Sequence, residues 1–121
     1  MYEIIFYKTA KGSIPVREYI DHLVREAATN KDSRIKAAKI HEYMQALSEH
    51  GTHVGMPYVR HIEDGIWELR PTSDRIFFFC HKGDSFVMLH HFRKKSQATP
   101  RREIEQAKRN RDMYQSMEEE V

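Results

Sequence analysis

The chain has 121 residues, 40% hydrophobic and 31% charged, with 20 Lys+Arg against 18 Asp+Glu and a formal net charge of +2. That is enough apolar material for one hydrophobic core, so residues 1–121 are expected to form a single domain. One cysteine excludes an internal disulfide and a multi-cysteine zinc site, and no apolar run is long enough for a transmembrane helix.

The N-terminal MYEIIFYKTAKGS has no basic leader before a long apolar region. It reads as structure rather than as a secretory signal, and a reducing, cytoplasmic setting is expected. Tyr2 to Tyr7 is short, aromatic and β-branched, which predicts a first strand broken at Lys11-Gly12-Ser13. Val16, Tyr19, Ile20, Leu23, Val24 and Ala27 then recur at helical spacing, with Pro15 suited to the first turn. Thr29 to Asp32 is a loop with capping residues. Ile40, Tyr43, Met44 and Leu47 mark a second helix that begins near Ser33 and is stopped by Gly51. The stretch His50 to Asp64 is irregular, with a short strand at Tyr58 to Ile62.

Three strands follow: GIWELR up to Pro71, RIFFFCH from Arg75 to His81, and SFVMLHHF after the turn Lys82-Gly83-Asp84. Their spacing predicts an antiparallel meander. Thr99 as cap and Pro100 in the first position open a last helix, whose seam of Ile104, Ala107 and Tyr114 is thin. The order β-α-α-(β)-β-β-β-α predicts an α+β fold: a small antiparallel sheet with an N-terminal helix pair on one face and a C-terminal helix. The sheet's second face is expected to stay free.

Charge is uneven. HHFRKKSQATPRREIEQAKRNR, from His90 to Arg111, gathers eight Lys and Arg residues against Glu103 and Glu105, while Glu118, Glu119 and Glu120 form an acidic tail. Such blocks select partners more than the net sum does. In GIWELR, Trp67 and Leu69 share one face and Glu68 and Arg70 the other. In the last strand, Phe86, Met88, His90 and Phe92 are expected to alternate with Val87, Leu89, His91 and Arg93. The strand ends then deliver Arg70, Arg75, His90 or His91, Arg93, Lys94 and Lys95 to one cationic rim.

Cleavage of RNA by its own 2′-hydroxyl needs little more. A base takes the proton, fixed cations hold the charge that grows on the phosphorane oxygens, and an acid protonates the leaving 5′-oxygen. Arginine supplies planar bidentate contacts to phosphate, and histidine titrates near neutral pH. Each residue also has a plainer reading. Arg70 and Arg75 pair with Glu68 and Asp74. His90 is a half-buried, satisfied histidine. Lys94 and Lys95 protect a strand end. His41, His50, His53 and His61 are not at metal-ligand spacing, so neither a metal nor another cofactor is expected. GK[ST], GxGxxG and GxSxG motifs do not occur.

The segment DGIWELRPTSDRIFFFCHKGDSFVMLHHFRKKSQATPRREIEQAKR, Asp64 to Arg109, resembles the core of the RelE/HigB-like toxin superfamily in its phage-derived branch. The resemblance lies in a glycine-aromatic-x-Leu-Arg strand, an arginine opening the next strand, Leu-His-x-Phe-x-Lys-Lys, and a Thr-Pro opening of the last helix. It implies the toxin of a type II toxin–antitoxin pair: a metal-independent endoribonuclease that cuts mRNA, commonly on the ribosome, and is blocked by a cognate antitoxin. Arg70 and Arg75 match arginines facing the phosphate, Lys94 and Lys95 match paired lysines after the last strand, and His90 matches a histidine of this branch. Arg60, Arg93, Arg101 and Arg102 are the expected RNA-binding residues around them. His91 stands where a small residue is usual, and Tyr114 lies too far along the helix to match the C-terminal tyrosine of some relatives. A non-catalytic, ParE-like gyrase inhibitor and a phage nucleic-acid or protein-binding module are the alternatives.

Overall fold

The computed structural model describes residues 1–119; residues 120 and 121, and with them Glu120 of the acidic tail, lie outside it. Strand β1 spans Glu3–Phe6, helix α1 Pro15–Glu26 and helix α2 Lys31–His50. A short 3-10 turn over Gly51–Val54 leads to β2 (Val59–Glu63), β3 (Ile66–Leu69), β4 (Asp74–His81) and β5 (Ser85–Arg93), and α3 (Arg101–Glu119) closes the order.

The helix ends follow local chemistry. Pro15 opens α1, and Glu18 reaches back so that its carboxylate accepts the Ile14 backbone N–H at 2.8 Å. Asn30 caps α2 by accepting from the Ser33 N–H at 3.1 Å, so this helix starts two residues before Ser33. Gly51 ends it at φ 65, and a Cβ there would lie 2.9 Å from the Tyr2 ring. At α3 the expected cap is not formed. The Pro100 carbonyl receives the first helical N–H groups, and Thr99 Oγ1 is buried without a hydrogen-bond partner among the described residues.

The five strands form one sheet in the order β1-β5-β4-β3-β2. The meander β2 to β5 is antiparallel, as the turn spacing predicts. The sheet as a whole is mixed, because β1 pairs parallel to β5, with Ile4 opposite Phe86 and Phe6 opposite Met88. A parallel neighbour needs a long crossover, and the excursion through α1, α2 and the meander supplies it.

Both sheet faces are covered. One buries Val59, Leu69, Ile76, Phe78, Phe86 and Met88 against Val16, Leu23, Ile40 and Leu47 of α1 and α2. The other buries Ile66, Phe77, Phe79, Val87, Leu89 and Phe92 against Ile104 and Ala107 of α3. The expectation of a free second face is therefore overturned. Its reason is readable in β4, where Ile76, Phe77, Phe78 and Phe79 are all buried with no polar alternation. Such a strand needs cover on both sides. Among the described residues, no helix is long and apolar enough to cross a membrane.

One irregularity decides which residues face which helix. Phe77 pairs with His90 but Phe78 pairs with Met88, so Leu89 is an extra residue in β5. This bulge re-aims the strand beyond it. Val87 and Leu89 face α3, and so do His90 and Phe92. Phe86 and Met88 face α1 and α2, and so does His91, which stacks on Tyr19 of α1. The simple alternation that grouped His90 with Phe86 and Met88 fails at this point.

Phe77 lies at the centre of the α3-covered face, fully buried. Phe77→Ala is expected to cost about 3–5 kcal/mol in urea denaturation. Val24, part of the apolar spacing of α1, is 58% exposed, so Val24→Ala is expected to stay within about 0.5 kcal/mol in the same measurement.

Candidate functional site

The register aligns Arg60 of β2, Glu68 of β3, Phe77 of β4 and His90 of β5 in one row across the sheet. Arg70 and Arg75 stand one step nearer the sheet end on the same face. Past β5, the Lys94 N–H donates to the Ser73 carbonyl at 2.8 Å, which extends the ladder and holds Lys94 beside them. Arg70, Arg75, Lys94 and Lys95, with Thr72 and Ser73, line an open cleft of about 560 Å³ at the end of the sheet.

A buried carboxylate organises these cations. The Glu68 side chain is 0% exposed, and its Oε1 accepts from Arg70 Nη1 at 2.9 Å. Arg60 Nη2 lies 3.5 Å from the same oxygen and Arg75 Nε 3.8 Å. Glu68 Oε2 has no hydrogen-bond partner among the described residues. Arg75 is anchored by its backbone neighbours instead, with Nη1 donating to the carbonyls of Thr72 and Asp74. One carboxylate thus faces three arginines, Arg60, Arg70 and Arg75, with Lys94 near them. The excess positive charge is held in place by the fold and opens toward the cleft, an arrangement suited to phosphate.

Burial pushes the Arg75 guanidinium below its ordinary pKa, with Glu68 opposing the shift. Arginine stays charged even so. Burial likewise lowers the Lys94 ammonium; Glu68 opposes this, and the charges of Arg60, Arg75 and Arg70 add to it. Lys94 is therefore the cleft lysine that releases its proton more readily than a free lysine does.

The other residues singled out in the sequence separate. His90 Nε2 lies 2.8 Å from Glu103 Oε1 of α3, and the ring sits under the first turn of that helix, outside the cleft lining. Arg93 leaves the rim for the opposite sheet face, where it lines a second cleft with Tyr19, Asp74 and His91. Arg101 is spent on Glu63, with hydrogen bonds of 2.7 and 2.9 Å. Lys108 joins it on Glu63 at 2.6 Å, and Arg111 binds Asp64. Much of the basic charge of α3 thus clamps the β2–β3 turn. Arg102 is exposed, with Nε 3.7 Å from Glu103, and lines a depression with Arg93 and Lys95.

Two features escaped the sequence reading. In the sequence Glu68 reads as a simple pairing partner, and nothing there marks it as the fully buried partner of three arginines. Tyr19 donates its hydroxyl to Asp74 Oδ1 at 2.9 Å across 55 residues of sequence, and no local pattern announces that contact.

Residues 28–112 match the family model described as "Phage derived protein Gp49-like (DUF891)". No curated protein matches the chain at a significant level.

Two measurements test the electrostatics. Hydrogen bonds from Arg101 and Lys108 depress the Glu63 carboxyl from 4.5 to about 2. Its folded pKa is lowered, so its stabilisation is present above pH 4.5 and is lost as pH falls through about 2. Glu63→Gln is expected to flatten melting temperature against pH across that window. Glu68→Gln leaves the rim cations facing one another and is expected to cost about 3 kcal/mol in urea denaturation at low salt, with part of the loss recovered as salt is added.

Proposed function

The chain belongs to the Gp49-like family of phage-derived proteins, and from that premise we propose that it is a toxin of the RelE/HigB-like kind, in the phage-derived HigB-like branch, acting as a metal-independent endoribonuclease on mRNA. The observation that carries this reading is the cleft itself. Arg70, Arg75, Lys94 and Lys95 converge on one open surface whose positive charge exceeds that of the buried Glu68.

The chemistry follows from those side chains. Arg70 and Arg75 hold the scissile phosphate and neutralise charge gathering on its non-bridging oxygens. The ribose 2′-oxygen attacks phosphorus as the bond to the 5′-oxygen breaks, leaving a 2′,3′-cyclic phosphate and a 5′-hydroxyl. Lys94, with its lowered pKa, is the group in the cleft best suited to carry the 2′-hydroxyl proton away, and Lys95 to supply one to the leaving oxygen. His90, held by Glu103 beneath α3, stands outside the cleft and is assigned no proton transfer. The exposed Arg60, Lys95 and Arg102 supply sequence-independent, salt-sensitive attraction to RNA, ribosomal RNA included. A cognate antitoxin with an acidic segment covers the same charge in the resting cytoplasm.

One observation favours a second reading. His90 is engaged by Glu103 and Arg70 by Glu68, so part of the rim is satisfied within the protein. A rim that binds without cutting fits a ParE-like gyrase inhibitor or a phage nucleic-acid or protein-binding module.

Brief induction in bacteria, with new mRNA 5′ ends mapped, separates the two. New ends at fixed positions within codons, reduced about a hundred-fold or more by Lys94→Ala and suppressed by the protein encoded next to this one, are the expected result. Growth arrest with intact transcripts turns the assignment to the gyrase-type reading, and normal growth to a binding module.

A further inference from the structure

Opposite the cationic cleft, the same end of β4 and β5 carries a second cleft of about 470 Å³, walled by the ends of α1 and α2. Asp74 lines it, only 3% exposed. Its Oδ1 accepts from Tyr19, while its Oδ2 has no hydrogen-bond partner among the described residues. A buried carboxylate oxygen without a donor is costly, and that cost is relieved when a ligand brings one. Beside it, the His91 imidazole lies flat on the Tyr19 ring, with centroids 4.3 Å apart and planes 10° from parallel. Burial, with His90 adding to it, lowers the pKa of His91 against the opposing charges of Asp74 and Glu103.

A neighbouring depression shares wall residues with each cleft. Arg93 lines both the second cleft and the neighbouring depression, and Lys95 lines both that depression and the cationic cleft. Asp74 and Arg93 are register partners, and the next residue along each strand, Arg75 and Lys94, faces the cationic side. Arg93, Arg102, Lys95 and Lys94 thus stand in turn around the strand ends from one cleft to the other. The walls carry Glu26 and Asp32 as well as Lys36 and Arg93; Asp32 and Lys36 pair at 3.3 Å, which leaves Arg93 beside Asp74 and Glu26 beside His22.

We infer that the second cleft holds one nucleobase of the RNA strand whose phosphate occupies the cationic cleft, and that Asp74 reads an exocyclic amino group on that base. The inference rests on the RNA reading above and adds to it a specificity pocket. Adenine, cytosine and guanine present an amino donor to Asp74 Oδ2. Uracil presents carbonyl oxygens at the equivalent positions, which a carboxylate repels. The Tyr19–His91 pair supplies a flat platform, a sequence-tolerant source of affinity.

Fluorescence anisotropy with labelled 2′-O-methyl hexanucleotides of adenosine, cytidine or uridine tests this, because these strands lack the attacking hydroxyl and stay intact. The full chain is expected to bind the adenosine and cytidine strands about ten-fold more tightly than the uridine strand. Asp74→Asn turns an amide N–H₂ toward the base and is expected to abolish or invert that preference. Its melting temperature stays the same or rises, since a buried, unpartnered carboxylate oxygen is removed. Lys94→Ala with Lys95→Ala is expected to weaken all three strands alike. Equal binding of the three strands, still dependent on Lys94 and Lys95, overturns the base pocket and leaves the RNA reading standing. Failure of every strand to bind overturns both. Asp74-dependent binding of a short arginine peptide that no strand displaces assigns the cleft to a protein partner and overturns the inference.

Discussion

A carboxylate buried among arginines is the constraint on which the end of this sheet depends. Glu68 lies in a strand whose neighbours Ile66 and Leu69 are fully buried, and it is itself 0% exposed. Taking a carboxylate out of water is unfavourable unless cations and hydrogen bonds replace the hydration; Arg70 does so by a hydrogen bond to Oε1, and Arg60 and Arg75 by their charge. Glu68 in turn lets four cations stand close enough to act on one ligand. Without it, Arg60, Arg70, Arg75 and Lys94 would repel one another apart. The Arg75 guanidinium is held by the carbonyls of Thr72 and Asp74, and its surroundings are protein rather than water.

The apolar character of β4 sets the second level of organisation. A strand buried on both faces forces α1 and α2 to one side and α3 to the other. At the end where β4 begins and β5 finishes, polar side chains gather, Asp74 and Arg75 buried and Arg93 exposed. Alternation along each strand then separates neighbours. Arg75 and Lys94 turn to one face, Asp74 and Arg93 to the other. Two clefts of different chemistry therefore flank the same strand ends. The bulge at Leu89 places His90 with the α3 side and His91 with Tyr19, where each finds a partner suited to it.

The basic stretch from His90 to Arg111 divides by role. Arg101, Lys108 and Arg111 reach Glu63 and Asp64 and fasten α3 to the β2–β3 turn. Lys94, Lys95, Arg93 and Arg102 remain around the strand ends. A single run of charge thus holds a helix in place and builds a surface. Three-dimensional position, not charge density along the chain, separates those uses.

The sequence by itself determined the elements and their order, because periodicity, Asn30, Gly51, Pro100 and the tight turns act within a few residues of where they stand. It also placed Arg70, Arg75, Lys94 and Lys95 together, since adjacent antiparallel strands bring their ends into register across short turns. Other features were decided only in three dimensions. The parallel seat of β1, the cover of α3 over the second face and the extra residue at Leu89 depend on how two cores compete for one sheet. The diversion of Arg101 to Glu63 and the bond from Tyr19 to Asp74 join groups 38 and 55 residues apart. Contacts over such distances carry no local pattern, because burial and the need to satisfy every buried polar atom are properties of the packed chain.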